Sequence, residues 1–248
     1  MLIIKNLSKS FYTKTEKKIV FDNFNLEIEF ENFISIIGHN GCGKTTLLNM
    51  IAGIDRDYEG SILFNGKNID SIKVGYIFQN YSETLFPWMN IIDNIAFPLK
   101  LEGLSRKKRY EVVIRFCQIY DFSIQYDAFP YSLSGGQQQL VVILRALVHN
   151  PDIILMDEAF SSLDHFTSLD IQNKILSIKK KINKTIIFIS HRVDEALYLS
   201  DRIICFNNHP VNVFEDFKVD FPYPRNLSLL SSEEFNNLKK KVLLNLKK

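Results

Sequence analysis

Gly38, Gly43, Lys44 and Thr45 stand in the spacing G-x-x-x-x-G-K-T, a set of residues able to hold a phosphate chain. Glycines let the backbone curl until successive N–H groups point at one anion. Lys44 is then placed to reach the β- and γ-phosphates, and the Thr45 hydroxyl to ligate Mg²⁺. The candidate nucleotide cradle is therefore Gly38, His39, Asn40, Gly41, Cys42, Gly43, Lys44, Thr45 and Thr46. Much further along, Asp157 and Glu158 supply adjacent carboxylates, the first suited to the Mg²⁺ shell and the second to orienting or deprotonating a water. Gln79 and His191 each end an apolar run, and His191 is placed for a γ-phosphate contact. Ser134, Gly135, Gly136 and Gln137 form a second loop, in which the serine can cap a helix and the glycines expose N–H groups to an anion. Phe11, and after it Tyr12, offers a flat ring on which a base could stack. Taken alone each ring reads as core, and the nearby phosphate loop raises the stacking role.

These side chains need a scaffold that delivers them to one edge. The run Phe33 to Ile37 reads as a buried strand entering the glycine loop, and Lys44 to Ala52 as a helix that Gly53 terminates. Val74 to Phe78, Asp152 to Glu158 and Thr185 to His191 are further buried strands, each with a polar residue at its exit. In open α/β sheets that carboxyl edge is where ligands bind. Residues 2–7 and 19–30 read as strands, and Phe24 to Phe30 alternates as a half-buried edge or antiparallel strand should. Residues 60–66 form one more strand, and 81–150 a mainly helical insert containing a helix from Gln138 to Val148. Arg202 to Phe206 reads as the last sheet strand, followed by an amphipathic terminal helix over 232–247 with a basic face. The expected fold class is α/β.

The 248 residues suffice for one large α/β domain or two small ones, with 46% hydrophobic content to build a core. Thirty basic against 28 acidic residues give a net charge of +2, which makes no electrostatic case for a dedicated nucleic-acid binder. The clusters at 106–109, 179–181 and 239–241 read as solvated helix faces. Cys42, Cys117 and Cys205 show no paired spacing, in keeping with reduced thiols, and Cys42 reads as a small filler in its loop. No apolar run approaches the length of a membrane span, so a membrane role would come through partners.

Taken in order, Gly38 to Thr45, Gln79, Leu133 to Gln137, Asp157-Glu158, Ser162-Leu163-Asp164 and His191 resemble the Walker A, Q-loop, signature, Walker B, D-loop and switch-histidine motifs of the ABC ATPases. The resemblance covers nearly the whole chain. It implies a P-loop NTPase with a RecA-like core, an antiparallel β-subdomain and a helical subdomain. Residues 1–215 would form the nucleotide-binding domain, with the helical subdomain at about 85–150 and a C-terminal extension over 216–248. The resemblance further implies ATP and Mg²⁺ as cofactors, with Thr45, Gln79 and Asp157 at the metal. Glu158, His191 and Gln79 would be catalytic. Two copies would pair head to tail, so that Ser134 to Gln137 and Asp164 of one close over the nucleotide of the other.

A finer resemblance is to the ATPase subunits of importers for nitrate, aliphatic sulfonates, taurine and a thiamine precursor. It is carried by Leu85 to Trp88, Asp93 to Phe97, His191 to Ala196 and Val219 to Arg225. It implies a homodimer beneath two integral membrane permease subunits, fed by a periplasmic or lipid-anchored substrate-binding protein and peripheral to the cytoplasmic face of the inner membrane. Nucleic acid is not an expected partner. Tyr81, Leu85 and Trp88 become candidates for docking the permease. The sequence departs from the family at Leu140, where arginine is usual, at Ala159, where proline is usual, and at Asn208-His209-Pro210. None of these removes a phosphate or magnesium ligand. The rival readings are a soluble ABC ATPase acting on nucleic acid or the ribosome, and a regulatory subunit that no longer hydrolyses.

Overall fold

A computed structural model describes residues 1–12, 16–207 and 209–246, with the backbone alone at Tyr81 and Phe214. The chain divides into two compact units, Met1–Ile72 with Lys184–Lys248, and Lys73–Asn183 between them in sequence. In chain order the first unit begins with β1 (Leu2–Tyr12), β2 (Lys17–Ile28), β3 (Phe33–Gly38), α1 (Lys44–Ile51), β4 (Glu59–Phe64) and β5 (Lys67–Asn68). The second unit runs through β6 (Val74–Ile77), α2 (Tyr81–Thr84), α3 (Ile91–Ile95), α4 (Phe97–Leu101), α5 (Arg106–Ile119), α6 (Gly135–Leu147), β7 (Ile153–Asp157) and α7 (His165–Lys181). The first then resumes with β8 (Thr185–Ile189), α8 (Val193–Leu199), β9 (Arg202–Phe206), β10 (Val213–Lys218) and α9 (Glu233–Leu246).

Two kinds of sheet build the first unit, and their residue patterns explain the difference. β2, β1, β4 and β5 form an antiparallel sheet in that order. In β2 the alternation Phe24, Leu26, Ile28 faces inward while Asn25 and Glu27 face water, so the register Leu2↔Ile28 and Ile4↔Leu26 buries one face. By contrast β3 and β8 are apolar at nearly every position and buried at all but Gly38, as parallel strands covered on both faces must be. β3 lies between β8 and β9, pairing Ile34 with both Ile187 and Arg202. An edge-to-face pair, Phe33 and Phe188, with ring centroids 6.3 Å apart, crosses that junction. β10 adds an antiparallel edge to β9, fastened by the Arg202–Asp216 ion pair at 2.6 Å. It follows the strand expected to be last.

The C-terminal segment is tied down at two points. Arg225, buried, donates to the carbonyls of Tyr198 at 3.0 Å and Ser200 at 2.9 Å, so it satisfies oxygens that the end of α8 leaves over. α9 then packs on α8 through buried Phe235 and Val242, and Lys239 pairs with Asp194 at 2.7 Å.

In the second unit α6 is the axis. It packs on α2, α3, α4, α7 and β6. Its approach to β6 needs Gly75, since a Cβ there would lie 2.4 Å from the Ala146 carbonyl oxygen. Asn94, fully buried, pins the turn before α3 by accepting from the Phe86 amide at 2.9 Å and donating to the Met89 carbonyl at 3.0 Å. Helices do fill the insert and Ser134 is the cap of α6 as expected, but the helix starts at Gly135, three residues before the expected start, because the residues directly after the cap already form its first turn. Among the described residues no helix is long and apolar enough to cross a membrane.

Candidate functional site

The phosphate loop leaves β3 in the first unit with no room for side chains at its start. A Cβ on Gly38 would lie 2.7 Å from the Phe206 carbonyl oxygen, so the chain emerges hard against β9. Gly41 at φ +75 and Gly43 at φ +111 then adopt left-handed geometry that glycine takes without strain. The turn delivers Lys44 as the first residue of α1, and Gly43 caps that helix without any side-chain acceptor. The first N–H groups of α1 are thus available to an anion, with the positive end of the helix dipole behind them. Lys44 is buried, and its Nζ folds back to donate to the Gly38 and His39 carbonyls, both at 2.9 Å. Thr45, His39 and Asn40 are exposed beside it, whereas Cys42 is buried as a small filler.

The aromatic candidates both belong to β1, which runs on through residue 12 rather than stopping at 7. Phe11 is 43% exposed and Tyr12 76%. Lys9, two residues before Phe11 and on the same face of the strand, sets its ammonium 5.0 Å from the Phe11 ring centroid. Burial pulls the Lys9 pKa down, but Asp55 at 2.9 Å and Asp57 at 3.2 Å more than offset it, so the net shift is upward. That cation therefore stays charged under one face of Phe11.

His191 follows β8 on an exposed turn. The turn is braced from beneath. Ser190 accepts from the Arg192 amide at 3.0 Å and donates to Glu195 at 2.8 Å, and Arg192 pairs with the same carboxylate at 3.0 Å. Burial raises the Glu195 pKa, against the pull of Ser190 and Arg192. Sequence reasoning missed this brace; the S-x-R-x-x-E spacing, a cap-like serine before a first-turn acid, was the available signal.

The second unit carries the acids. β6 and β7 run parallel with Ile77 opposite Met156, so the residues after each strand leave side by side. There Gln79 Nε2 donates to Glu158 Oε2 at 3.0 Å. Glu158 itself sits at φ 46, a left-handed kink in the backbone immediately after β7. Asp157, the last residue of β7, is buried, and after burial its charge is the second cause of the raised pKa of Tyr76. Asp157, Gln79 and Thr45 offer a carboxylate, an amide and a hydroxyl, all hard oxygen donors of the kind Mg²⁺ takes.

Ser134 and Gln137 close a reciprocal cap on α6: Gln137 N–H donates to the serine hydroxyl at 3.4 Å and the serine N–H donates to Gln137 Oε1 at 2.9 Å. Gly135 and Gly136 become the first turn of the helix. Gly136 lies against the start of α7, where a Cβ would sit 2.3 Å from the Thr167 methyl. Asp164 caps α7 by accepting from the Phe166 and Thr167 amides, and the Thr167 hydroxyl and these amides hold its carboxyl below the usual range. The fold thus sets the first turn of α6 against the first turn of α7, the turn that Asp164 caps. Of the docking candidates, Trp88 is 72% exposed and packs on Phe86, while Leu85 is buried and belongs to the core. The side chain of Tyr81 lies outside the described residues.

A strand, a glycine loop and a lysine-headed helix, with carboxylates ending another parallel strand, define a phosphate-loop nucleotide hydrolase. The sequence profile described as "ABC transporter" matches residues 21–161. An uncharacterized ABC transporter ATP-binding protein of Methanocaldococcus jannaschii is 41% identical over 98% of this chain and 90% of its own length. The aliphatic sulfonates import ATP-binding protein SsuB of Bacillus cereus is 38% identical over 97% of this chain and 93% of its own. A dimeric bacterial ABC transporter cassette superposes with TM-score 0.77 at 28% identity, covering 90% of this chain and all of that one. A post-hydrolysis cassette bound to ADP and Pi gives 0.76 at the same identity and coverage. The chain belongs to the ABC transporter family of ATP-binding proteins, and it is an ATPase.

Proposed function

We propose that this ATPase powers import of a small solute of the sulfonate, taurine or nitrate class, working as a homodimer with Mg·ATP beneath two permease subunits at the cytoplasmic face of the membrane. A substrate-binding protein would deliver the solute. The solute class is supported by the likeness to SsuB across nearly the full length of both chains. In this reading residues 1–215 form the nucleotide-binding domain, with a helical subdomain at about 85–150 and an extension over 216–248.

The observation that carries the chemistry is the Gln79–Glu158 hydrogen bond at the exit of two parallel strands. A carboxylate held at a fixed angle by an amide can orient a water and take its proton as the water oxygen attacks the γ-phosphorus and the bond to the bridging oxygen breaks. Lys44 exchanges its two carbonyl partners for β- and γ-phosphate oxygens, so the nucleotide meets a preformed donor. Phe11 stacks the adenine, with Tyr12 as the second choice. Residues Gly38 to Thr46 wrap the phosphates, and His191 contacts the γ-phosphate. Ser134 to Gln137 and Asp164 would cover the nucleotide of the second copy. Thr45, Asp157 and the remaining oxygen of Gln79 would hold Mg²⁺, which supplies charge neutralisation on the phosphates when bound.

Glu158→Gln keeps the shape and the Gln79 contact while removing the base. Turnover should fall by at least about a hundredfold, the scale of losing a general base, with ATP still bound and the dimer favoured. Near wild-type turnover would place the base elsewhere. For the transport reading, the tagged chain is purified from gently solubilised membranes; a stoichiometric multi-span protein supports it, and recovery with ribosomes or nucleic acid overturns it.

A further inference from the structure

The phosphate loop is held from outside by a turn that the mechanism above does not use. His209 Nε2 lies 2.7 Å from the carbonyl oxygen of Gly41, at the tip of the loop. A carbonyl only accepts, so Nε2 carries the proton and His209 is the donor. The Gly41–Cys42 peptide is thereby gripped at both ends, because its N–H, on Cys42, donates to the His39 carbonyl at 3.3 Å. Fixing one carbonyl in a trans peptide fixes the direction of the next amide. Amide direction is what a phosphate cradle consists of.

The residues on either side of the donor are tied down by hydrogen bonds. Asn207 and Asn212 close the turn, the Asn212 amide donating to Asn207 Oδ1 at 2.7 Å and the Asn207 amide to the Asn212 carbonyl at 3.3 Å. Val211 then ties the turn to β2 by donating to the Val20 carbonyl at 2.7 Å. The same turn meets the loop once more, and the end of β9 meets it as well. A Cβ on Gly43 would approach the Val211 side chain to 3.2 Å, and one on Gly38 the Phe206 carbonyl of β9 to 2.7 Å. Around Gly41, in contrast, a Cβ would meet nothing within 4 Å. The base of the loop is therefore fixed by packing, while its apex has the His209 hydrogen bond in place of packing.

We propose that His209 is a positioning residue for ATP: it presets the apex of the phosphate loop, so that its loss weakens nucleotide affinity without touching the chemical step. This rests on the phosphate-loop reading of residues 38–46. His209→Ala should raise the ATP Kd and KM about three- to tenfold, the range set by one neutral hydrogen bond, with the saturating rate changed less than about twofold. His209→Gln places an amide N–H near the position of Nε2 and should restore most of the affinity. A purely structural role would lower thermal stability in both variants and would not split KM from kcat. Hydrogen exchange on the nucleotide-free protein gives a readout that needs no ATP: amides 40–43 should exchange faster in His209→Ala than in wild type or His209→Gln. Unchanged exchange and unchanged KM in His209→Ala overturn the proposal. A wild-type chain that fails to bind ATP overturns the nucleotide reading instead, while the exchange comparison still reports on the tether.

Discussion

Glu195 shows how a single residue can be placed against its own ionisation. Its carboxylate is needed to hold Ser190 and Arg192 beneath His191, yet burial raises its pKa above the ordinary 4.5. The folded state therefore binds more protons than the unfolded chain once the pH passes about 4.5, and stability from this group falls as pH rises through the raised value. Unfolding free energies measured across that window should show the loss in wild type, and Glu195→Gln should flatten it. A parallel fall in both proteins would assign the effect to other groups. The residues that carry phosphate chemistry were legible because glycine, lysine and carboxylate at strand ends have few other uses. Glu195 was not legible as a brace, since an acid in the first turn of a helix is ordinary until its burial is known.

Elements were legible where one physical demand dominated their sequence. The apolar runs of β3, β7 and β8 permit only double-sided burial, and Gly53 at φ +69 ends α1 as expected. β10 was missed because residues 213–218 mix charges with apolar positions, and its edge position is secured by a cross-strand ion pair rather than by hydrophobicity. The start of α6 was misjudged because glycine has low helix propensity, whereas here the capping box and the crossing with α7 dictate it. That crossing makes a prediction whose sign is not obvious. Alanine at 136 should gain about 1 kcal/mol as a helix former, but its Cβ would stand 2.3 Å from the Thr167 methyl. Overpacking costs about 1–3 kcal/mol, so Gly136→Ala should lower Tm. Thr167→Ser, which deletes that methyl and keeps the hydroxyl bonded to Asp164, should restore it in the double variant. Additive losses would remove the clash as the cause.

At the scale of the molecule, the two units divide the labour in sequence. The phosphate loop and His191 belong to the unit made from both chain ends, and the carboxylates, the Ser134 loop and Trp88 to the intervening one. Trp88 at 72% exposure, tilted against Phe86, is a large apolar ring spent on no core. Trp88→Ala should leave ATP affinity unchanged and reduce recovery of the permease with the tagged chain; undiminished recovery would detach Trp88 from docking. The division also has a consequence in time. Both strands that flank β3 lie far downstream: Gly38 ends it, and its partners begin at Thr185 and Arg202. A ribosome adding about 5–20 residues per second needs roughly 7–30 s to cover that interval, during which the oily segment Phe33 to Ile37 has neither neighbour. Nascent chains stalled before residue 185 should thus be cut readily by protease there and recruit chaperones, and chains released past Phe206 should resist.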